Sequence, residues 1–134
     1  MSETTDASTV RLRLPARAEY LIFTRLVLTG LSRTIEIDTE TLSDLKLAVS
    51  EACSYVIRAD TADTLAIRYE LGDDAISVEV TPEPEPPTGQ VADQTESDLG
   101  LAIIEALTDE LDLQQAEDGR IERLFFRKRL EPSS

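Results

Sequence analysis

The segment from residue 38 to residue 58 constrains the fold more than any other part of the chain. Apolar residues recur there at three- and four-residue spacing, which predicts a helix with one buried stripe. The stripe consists of Leu42, Leu45, Val49, Ala52 and Val56. Thr39 or Thr41 is expected to cap the helix, because either hydroxyl can accept a hydrogen bond from a free backbone N–H. Glu51 and Tyr55 share a face beside the stripe, where an unpaired carboxylate must reach solvent, a partner or a cleft.

The remaining elements follow from the same periodicities and from turn residues. Strands are predicted at 10–14, 64–71, 75–80, 112–116 and 120–130, and further helices at 16–33 and 99–111. This order predicts an α+β fold, a two-layer sandwich with three helices on one face of a mostly antiparallel five-stranded sheet. We expect one domain over residues 10–130, with tails at 1–9 and 131–134.

The patterns also predict which side chains face the core. In the first helix they are Tyr20, Phe23 or Thr24, Val27 and Leu31, widened by Leu21 and Leu28; in the last helix they are Leu101, Ile104, Leu107 or Thr108, and Leu111. In the strands they are Leu65, Ile67, Tyr69, Leu71, Ile76, Val78, Val80, Leu124 and Phe126. Ser97 or Asp98 is expected to cap the last helix, and Arg17, Arg25 and Arg33 to share the outer side of the first helix.

Composition excludes several functions. The net charge is −14, which disfavours nucleic acid and favours basic partners, although the charge taken alone is better explained by solubility. The chain has no histidine and a single cysteine, Cys53, so a zinc site and histidine-based catalysis are not expected. Cys53 lies beside the helical stripe and is interpreted as a core residue. No apolar run is long enough to cross a membrane and the N-terminus is polar, so we expect a cytoplasmic protein.

The sequence Ser50-Glu51-Ala52-Cys53-Ser54-Tyr55 resembles the N-box of the GHKL (Bergerat-fold) ATPases, and in particular their anti-sigma-factor/serine-protein-kinase branch. The resemblance extends over about residues 10–130 and implies a GHKL-like fold. It also implies that Glu51 occupies the position of a general base. The family places a magnesium-binding Asn four residues later, where this chain has Tyr55, a poor ligand for so hard a cation.

Two further nucleotide-binding parts of that family are altered. Its Asp-x-Gly-x-Gly box would fall at residues 81–87, where this chain has Thr-Pro-Glu-Pro-Glu-Pro-Pro, and a loop is expected from there to about residue 96. Of the glycine-rich lid, Gly100 and Leu101 remain, although close helix packing explains Gly100 equally well. Asp98 would repel phosphate. We therefore expect no cofactor and no metal, with Mg-ATP bound only if the chain is an active kinase.

The resemblance implies a degenerate anti-sigma factor, which sequesters an RNA polymerase sigma factor and is released by a STAS-domain anti-anti-sigma protein. Arg25 occupies the family's partner-contacting position on the first helix, and Arg17 is a second candidate; a solvated helix charge is the alternative. Tyr20 and the corner at residues 11–17 are candidates for a homodimer contact. Two other functions remain open: an ATP-dependent serine-protein kinase with Glu51 as its base, and a non-catalytic interaction scaffold.

Overall fold

The computed structural model describes residues 8–59, 62–83, 94–117 and 119–130, without the side chains of residues 94–98. Its elements follow the predicted order, with one short 3-10 helix added before the first α-helix. They are β1 (Ser8–Pro15), the 3-10 helix (Ala18–Tyr20), α1 (Ile22–Leu31), α2 (Thr39–Ala59), β2 (Thr64–Leu71), β3 (Ala75–Glu83), α3 (Gln94–Leu107), β4 (Glu110–Gln115) and β5 (Ile121–Arg129).

The five strands form one sheet in the order β1-β2-β3-β5-β4, and every neighbouring pair is antiparallel. The predicted α+β architecture is confirmed. Among the strands that the structure describes, β1 and β4 lie at the edges of the sheet, each paired on one side only. Within the described part of the chain, no helix is long and apolar enough to cross a membrane.

Helix α2 lies at the centre of the helix layer, in contact with α1, α3, β3 and β5. The predicted stripe is buried except for the half-buried Leu42, and Ala48, Cys53 and Tyr55 join it. Strand β2 buries each of its four predicted apolar side chains, and β3 buries Ile76, Val78 and Val80 as expected. Because a strand has a period of two, this alternation fixes which sheet face meets the helices.

The cap of α2 differs from the prediction. The helix begins at Thr39, and the carboxylate of Asp38 accepts a hydrogen bond from the backbone N–H of Thr41 at 2.7 Å. Asp38 is therefore the N-cap, in place of Thr39 or Thr41. Aspartate suits this position because its negative charge also interacts favourably with the helix dipole.

The predicted helix over 16–33 is instead two shorter elements that meet at Leu21. Its buried side is Leu21, Thr24 and Leu28, whereas Phe23 is exposed. A threonine can be buried here because its hydroxyl donates to the Leu21 carbonyl at 2.6 Å. The Tyr69 hydroxyl, from β2, donates to the Thr24 carbonyl at 2.9 Å and ties α1 to the sheet.

The last helix is shifted towards the N-terminus relative to the predicted 99–111. It ends at Leu107, where the Thr108 hydroxyl donates to the Ile104 carbonyl at 2.8 Å and the Asp109 N–H donates to the Arg127 carbonyl at 2.9 Å. Leu111 consequently lies in β4 rather than in a helix. The helix already begins at Gln94, so Ser97 and Asp98 lie within it and do not cap it.

Strand β3 continues three residues beyond its predicted end. Its pairing with β5 stops at Val80, but its pairing with β2 continues to Glu83, so Pro82 has a neighbouring strand on one side only. A proline is tolerated at such an edge because it has no N–H to offer a second strand. The part of the predicted loop at residues 84–93 lies outside the described residues.

Strand β5 buries Leu124 and Phe126 as predicted, and also Ile121, which simple alternation placed on the other face. The pairing with β4 passes from Gln114 opposite Arg123 to Gln115 opposite Ile121, which leaves Glu122 as an extra residue. A bulge of this kind reverses the alternation beyond it. Ile121 therefore faces the core.

The capping role of Asp38 can be tested by replacing it with Ala. Hydrogen bonding to Thr41 lowers the pKa of Asp38 below its ordinary value of 3.8. A lowered folded-state pKa contributes stability above pH 3.8, and this contribution is lost as the pH falls through the folded value. Asp38→Ala should therefore lower Tm at pH 7, and the difference should shrink in acid. Asp38→Asn, which keeps an acceptor oxygen, should lower Tm at pH 7 by less than Asp38→Ala does. Equal Tm values for wild type and Asp38→Ala at pH 7 would contradict the assignment.

Candidate functional site

The candidate general base, Glu51, lies on the side of α2 that faces α3. One of its carboxylate oxygens, Oε1, lies 3.5 Å from the point where a Cβ on Gly100 would stand. The Arg58 guanidinium lies 3.4 Å from the same point. Glu51 and Arg58 are seven residues apart, so they share a face of the helix. The structure therefore brings Glu51, Arg58 and Gly100 together.

Tyr55 stands where the resemblance implies a magnesium-binding Asn, and its side chain is packed into the core. It is 4% exposed and belongs to the same cluster as Ala52 and Val56. Glu51 is only half-buried. The two residues are neighbours on α2, but Tyr55 faces the core and Glu51 lies closer to the surface.

The two residues that match the family's lid in sequence, Gly100 and Leu101, lie on α3. Gly100 is buried, Leu101 is half-buried, and Leu99 is 67% exposed. Helix α3 makes its main contact with α2, so the absence of a side chain at Gly100 leaves room for the ends of Glu51 and Arg58. The side chain of Asp98 lies outside the described part of the chain.

Cys53 is fully buried in α2. Burial raises the pKa of its thiol to about 12, so the thiol stays protonated and unreactive at neutral pH. Its interpretation as a core residue is confirmed.

The surface of α1 carries apolar side chains that periodicity had not placed there. Ile22 is 49% exposed, Phe23 44% and Leu26 55%. We call these three residues the α1 patch. Arg25 lies among them in sequence and is exposed. Periodicity left Phe23 and Thr24 as alternatives for the buried line, and the structure places Thr24 there and Phe23 on the surface.

The predicted outer line of three arginines is wrong. Arg17 precedes the 3-10 helix in extended conformation, and Arg33 follows α1 in a turn, so only Arg25 is on the helix. Arg17 is exposed and lies 3.9 Å from the Glu19 carboxylate.

Two surface cavities lie away from Glu51. One of about 450 Å³ is lined by the connector between α1 and α2, residues 32–38. The other, of about 400 Å³, lies across β1, β2 and β3 on the sheet. Neither cavity is lined by Glu51, Tyr55 or Gly100.

Comparison with known proteins identifies the family of this chain. The profile of a family described as the histidine kinase-like ATPase domain matches residues 14–125. The chain is 29% identical over 127 residues to a protein named serine-protein kinase RsbW from Bacillus subtilis (strain 168), covering 81% of this chain and 79% of that protein. It is 24% identical over 123 residues to the protein of that name from Halalkalibacterium halodurans, covering 80% and 76%.

One solved structure is similar in fold. It contains the RsbU and RsbW domains of Rv1364c from Mycobacterium tuberculosis, and it superposes with a TM-score of 0.71 at 18% identity. The match covers 94% of this chain and 34% of that longer chain. At this level of identity the likeness extends to the fold alone.

The packing at Gly100 predicts that a methyl group is tolerated there. A Cβ would meet the flexible ends of Arg58 and Glu51 at ordinary contact distances, 3.4 and 3.5 Å. Alanine also restricts the unfolded chain and favours a helix. Gly100→Ala should therefore raise the free energy of unfolding by about 0.5–1 kcal/mol in urea titrations. Gly30→Ala in α1, where a Cβ would meet nothing within 4 Å, is the matched control. A loss of stability confined to Gly100→Ala would show that the space at Gly100 cannot hold a methyl group.

Proposed function

Because the chain belongs to the histidine kinase-like ATPase domain family, we propose that it is a degenerate anti-sigma factor that sequesters an alternative sigma factor without ATP turnover. In this proposal it works in the cytoplasm, where a STAS-domain anti-anti-sigma protein releases it by partner switching. The observation that carries the proposal is the packing of Tyr55 into the core, 4% exposed, at the position where the family holds its magnesium ion.

The residues present are a poor fit for magnesium. Magnesium takes small oxygen ligands in tight octahedral geometry. The phenol of Tyr55 is larger than an Asn amide, and its ring is part of the hydrophobic cluster around α2. Moving it towards an ion would expose core surface and leave a cavity, at a cost of about 3 kcal/mol or more.

The surroundings of Gly100 also disfavour a nucleotide. In a phosphate-binding lid, glycine lets the backbone approach the phosphate oxygens. Here the space beside Gly100 is approached by a carboxylate oxygen of Glu51 and by the Arg58 guanidinium. A nucleotide phosphate would be repelled by the Glu51 carboxylate. The Arg58 guanidinium would attract a phosphate, but it would have to move to let one reach the backbone of Gly100.

The end of β3 supports the same conclusion. The family's adenine-binding box begins after this strand, and its glycines allow backbone conformations that proline forbids. This chain instead continues in extended conformation through Pro82 to Glu83, whose carboxylate bonds to Arg13 at 2.7 Å.

An active serine-protein kinase is the second candidate function. The retained carboxylate of Glu51 and the name of the B. subtilis relative favour it. This alternative requires Mg-ATP to bind beside α2, so it predicts a nucleotide-dependent interaction with the sigma factor, whereas the anti-sigma proposal does not.

Sigma-factor binding with and without Mg-ATP separates the two functions. We expect the immobilised chain to retain the sigma factor equally under both conditions, and calorimetry with millimolar Mg-ATP alone to give no binding heat. Arg25→Ala should weaken retention about tenfold, the loss expected for one charge-assisted contact. Arg33→Ala, which removes an exposed arginine outside α1, should leave retention unchanged. Tight magnesium-dependent nucleotide binding would establish the kinase instead, and failure to retain any sigma factor would favour the scaffold.

The α1 patch supports a homodimer. Three exposed apolar side chains on one short helix are more than scattered surface residues. Tyr20, which stacks on Phe23 at a ring separation of 6.4 Å, extends them towards the 3-10 helix. Burying such a patch against a second copy removes apolar surface from water on both molecules.

The dimer proposal predicts that a charge on the α1 patch yields a monomer. Phe23→Glu should halve the mass measured by light scattering after gel filtration, because a carboxylate would be buried unpaired in the interface. Leu47→Glu on α2 is the matched control, since Leu47 is 47% exposed and Phe23 is 44% exposed. An unchanged mass for Phe23→Glu, or an equal effect of Leu47→Glu, would place self-association elsewhere.

A further inference from the structure

The outer face of the sheet, opposite the helices, carries a cavity of about 400 Å³ that the proposed function does not use. We call it the outer groove. Its polar lining comes from Arg11 and Arg13 of β1, Arg68 of β2, and Glu79, Thr81 and Glu83 of β3. Ala66 lies between Arg13 and Thr81 in the strand register, and its small side chain leaves the space open.

The strand register places two positive charges side by side in this groove. Arg11 of β1 is the direct cross-strand partner of Arg68 in β2. Like charges at such positions repel and destabilise the pairing of the strands. Arg13 is two residues further along β1 and therefore points to the same face. Three arginines of β1 and β2 thus line the same groove.

The carboxylates of the groove are already engaged. Glu83 bonds to Arg13 at 2.7 Å. Glu79 lies 3.7 Å from Arg68 and is also bonded to Arg123 of β5, so one carboxylate serves two arginines. Arg11 is exposed and forms no ion pair with any described residue. The groove therefore holds an excess of positive charge that its own acidic residues do not balance.

We propose that the outer groove binds an acidic, extended segment of a partner protein. Guanidinium groups suit this ligand because each can form two parallel hydrogen bonds to a carboxylate. Carboxylates from the segment would also separate the charges of Arg11 and Arg68 and so remove their repulsion. The net charge of the whole chain is −14, so an acidic segment is repelled elsewhere and directed to this face. The partner proposed for the outer groove is therefore acidic, whereas the acidic surface of the rest of the chain favours a basic partner.

The proposal is tested with a fluorescein-labelled peptide of alternating glutamate and threonine, whose binding to the intact chain is followed by fluorescence anisotropy at low salt. We expect Arg11→Ala and Arg68→Ala each to raise Kd about tenfold or more, as for the loss of a charge-assisted pair. Arg11→Lys should recover part of the affinity. Arg33→Ala is the matched control, an exposed arginine outside the groove, and should leave Kd unchanged. A peptide of alternating lysine and threonine is attracted by the acidic remainder of the chain instead, so Arg11→Ala should not raise its Kd.

A second measurement separates binding from structural support. Because Arg11 faces Arg68, Arg11→Ala should leave Tm unchanged or raise it, while it weakens the binding of the peptide. A fall in Tm together with unchanged peptide affinity would overturn the proposal and make Arg11 a structural residue. Equal losses of peptide affinity for Arg11→Ala and Arg33→Ala would show that the chain attracts the peptide non-specifically. Displacement of the peptide by inorganic phosphate at matched ionic strength would reduce the groove to a small-anion site, and self-association that Arg11→Ala abolishes would make a second copy the occupant.

Discussion

The whole arrangement depends on the burial of one face of α2 against the sheet. Leu45, Val49 and Val56 are completely removed from solvent, and each contributes about 1.5–3 kcal/mol of transfer free energy. The same contact sets the rotation of the helix. Once the stripe faces the sheet, the helical period turns Tyr55 inward and directs Glu51 and Arg58 towards α3. The chemistry of the site is therefore fixed by the packing of residues that take no part in it.

Patterns confined to one element were sufficient to predict most of the fold. The bounds of β2 and the stripe of α2 follow from apolar spacing alone, because burial on one face imposes a period on the sequence. Predictions failed or stayed open where a distant residue decides the outcome. Periodicity left Phe23 and Thr24 as alternatives, and Thr24 is the buried one because its hydroxyl donates to the Leu21 carbonyl and its own carbonyl receives the hydroxyl of Tyr69, 45 residues away. Ile121 faces inward because a bulge that depends on β4 reverses the alternation.

The candidate site was predictable only in part, for the same reason. The motif indicated Glu51 and Gly100, and the structure places them against each other. No motif indicated Arg58, because its position at Gly100 arises from the packing of α3 on α2. Tyr55 was recognised as a departure from the family pattern, but its burial depends on the rotation of α2. Arg68 of the outer groove was also missed, since its opposition to Arg11 is a property of strand register, which local sequence does not determine.

The distribution of charge gives the two layers of the sandwich different recognition properties. The helix layer presents the α1 patch with the exposed Arg25 among its residues, and apolar burial would dominate any contact made there. The outer face of the sheet presents arginines whose repulsion is built into the pairing of β1 with β2. A partner on the helix layer gains by removing apolar surface from water, whereas a partner on the outer face gains by supplying negative charge. Because the two surfaces lie on opposite layers and favour different chemistry, the two proposed kinds of partner would not compete directly for one chain.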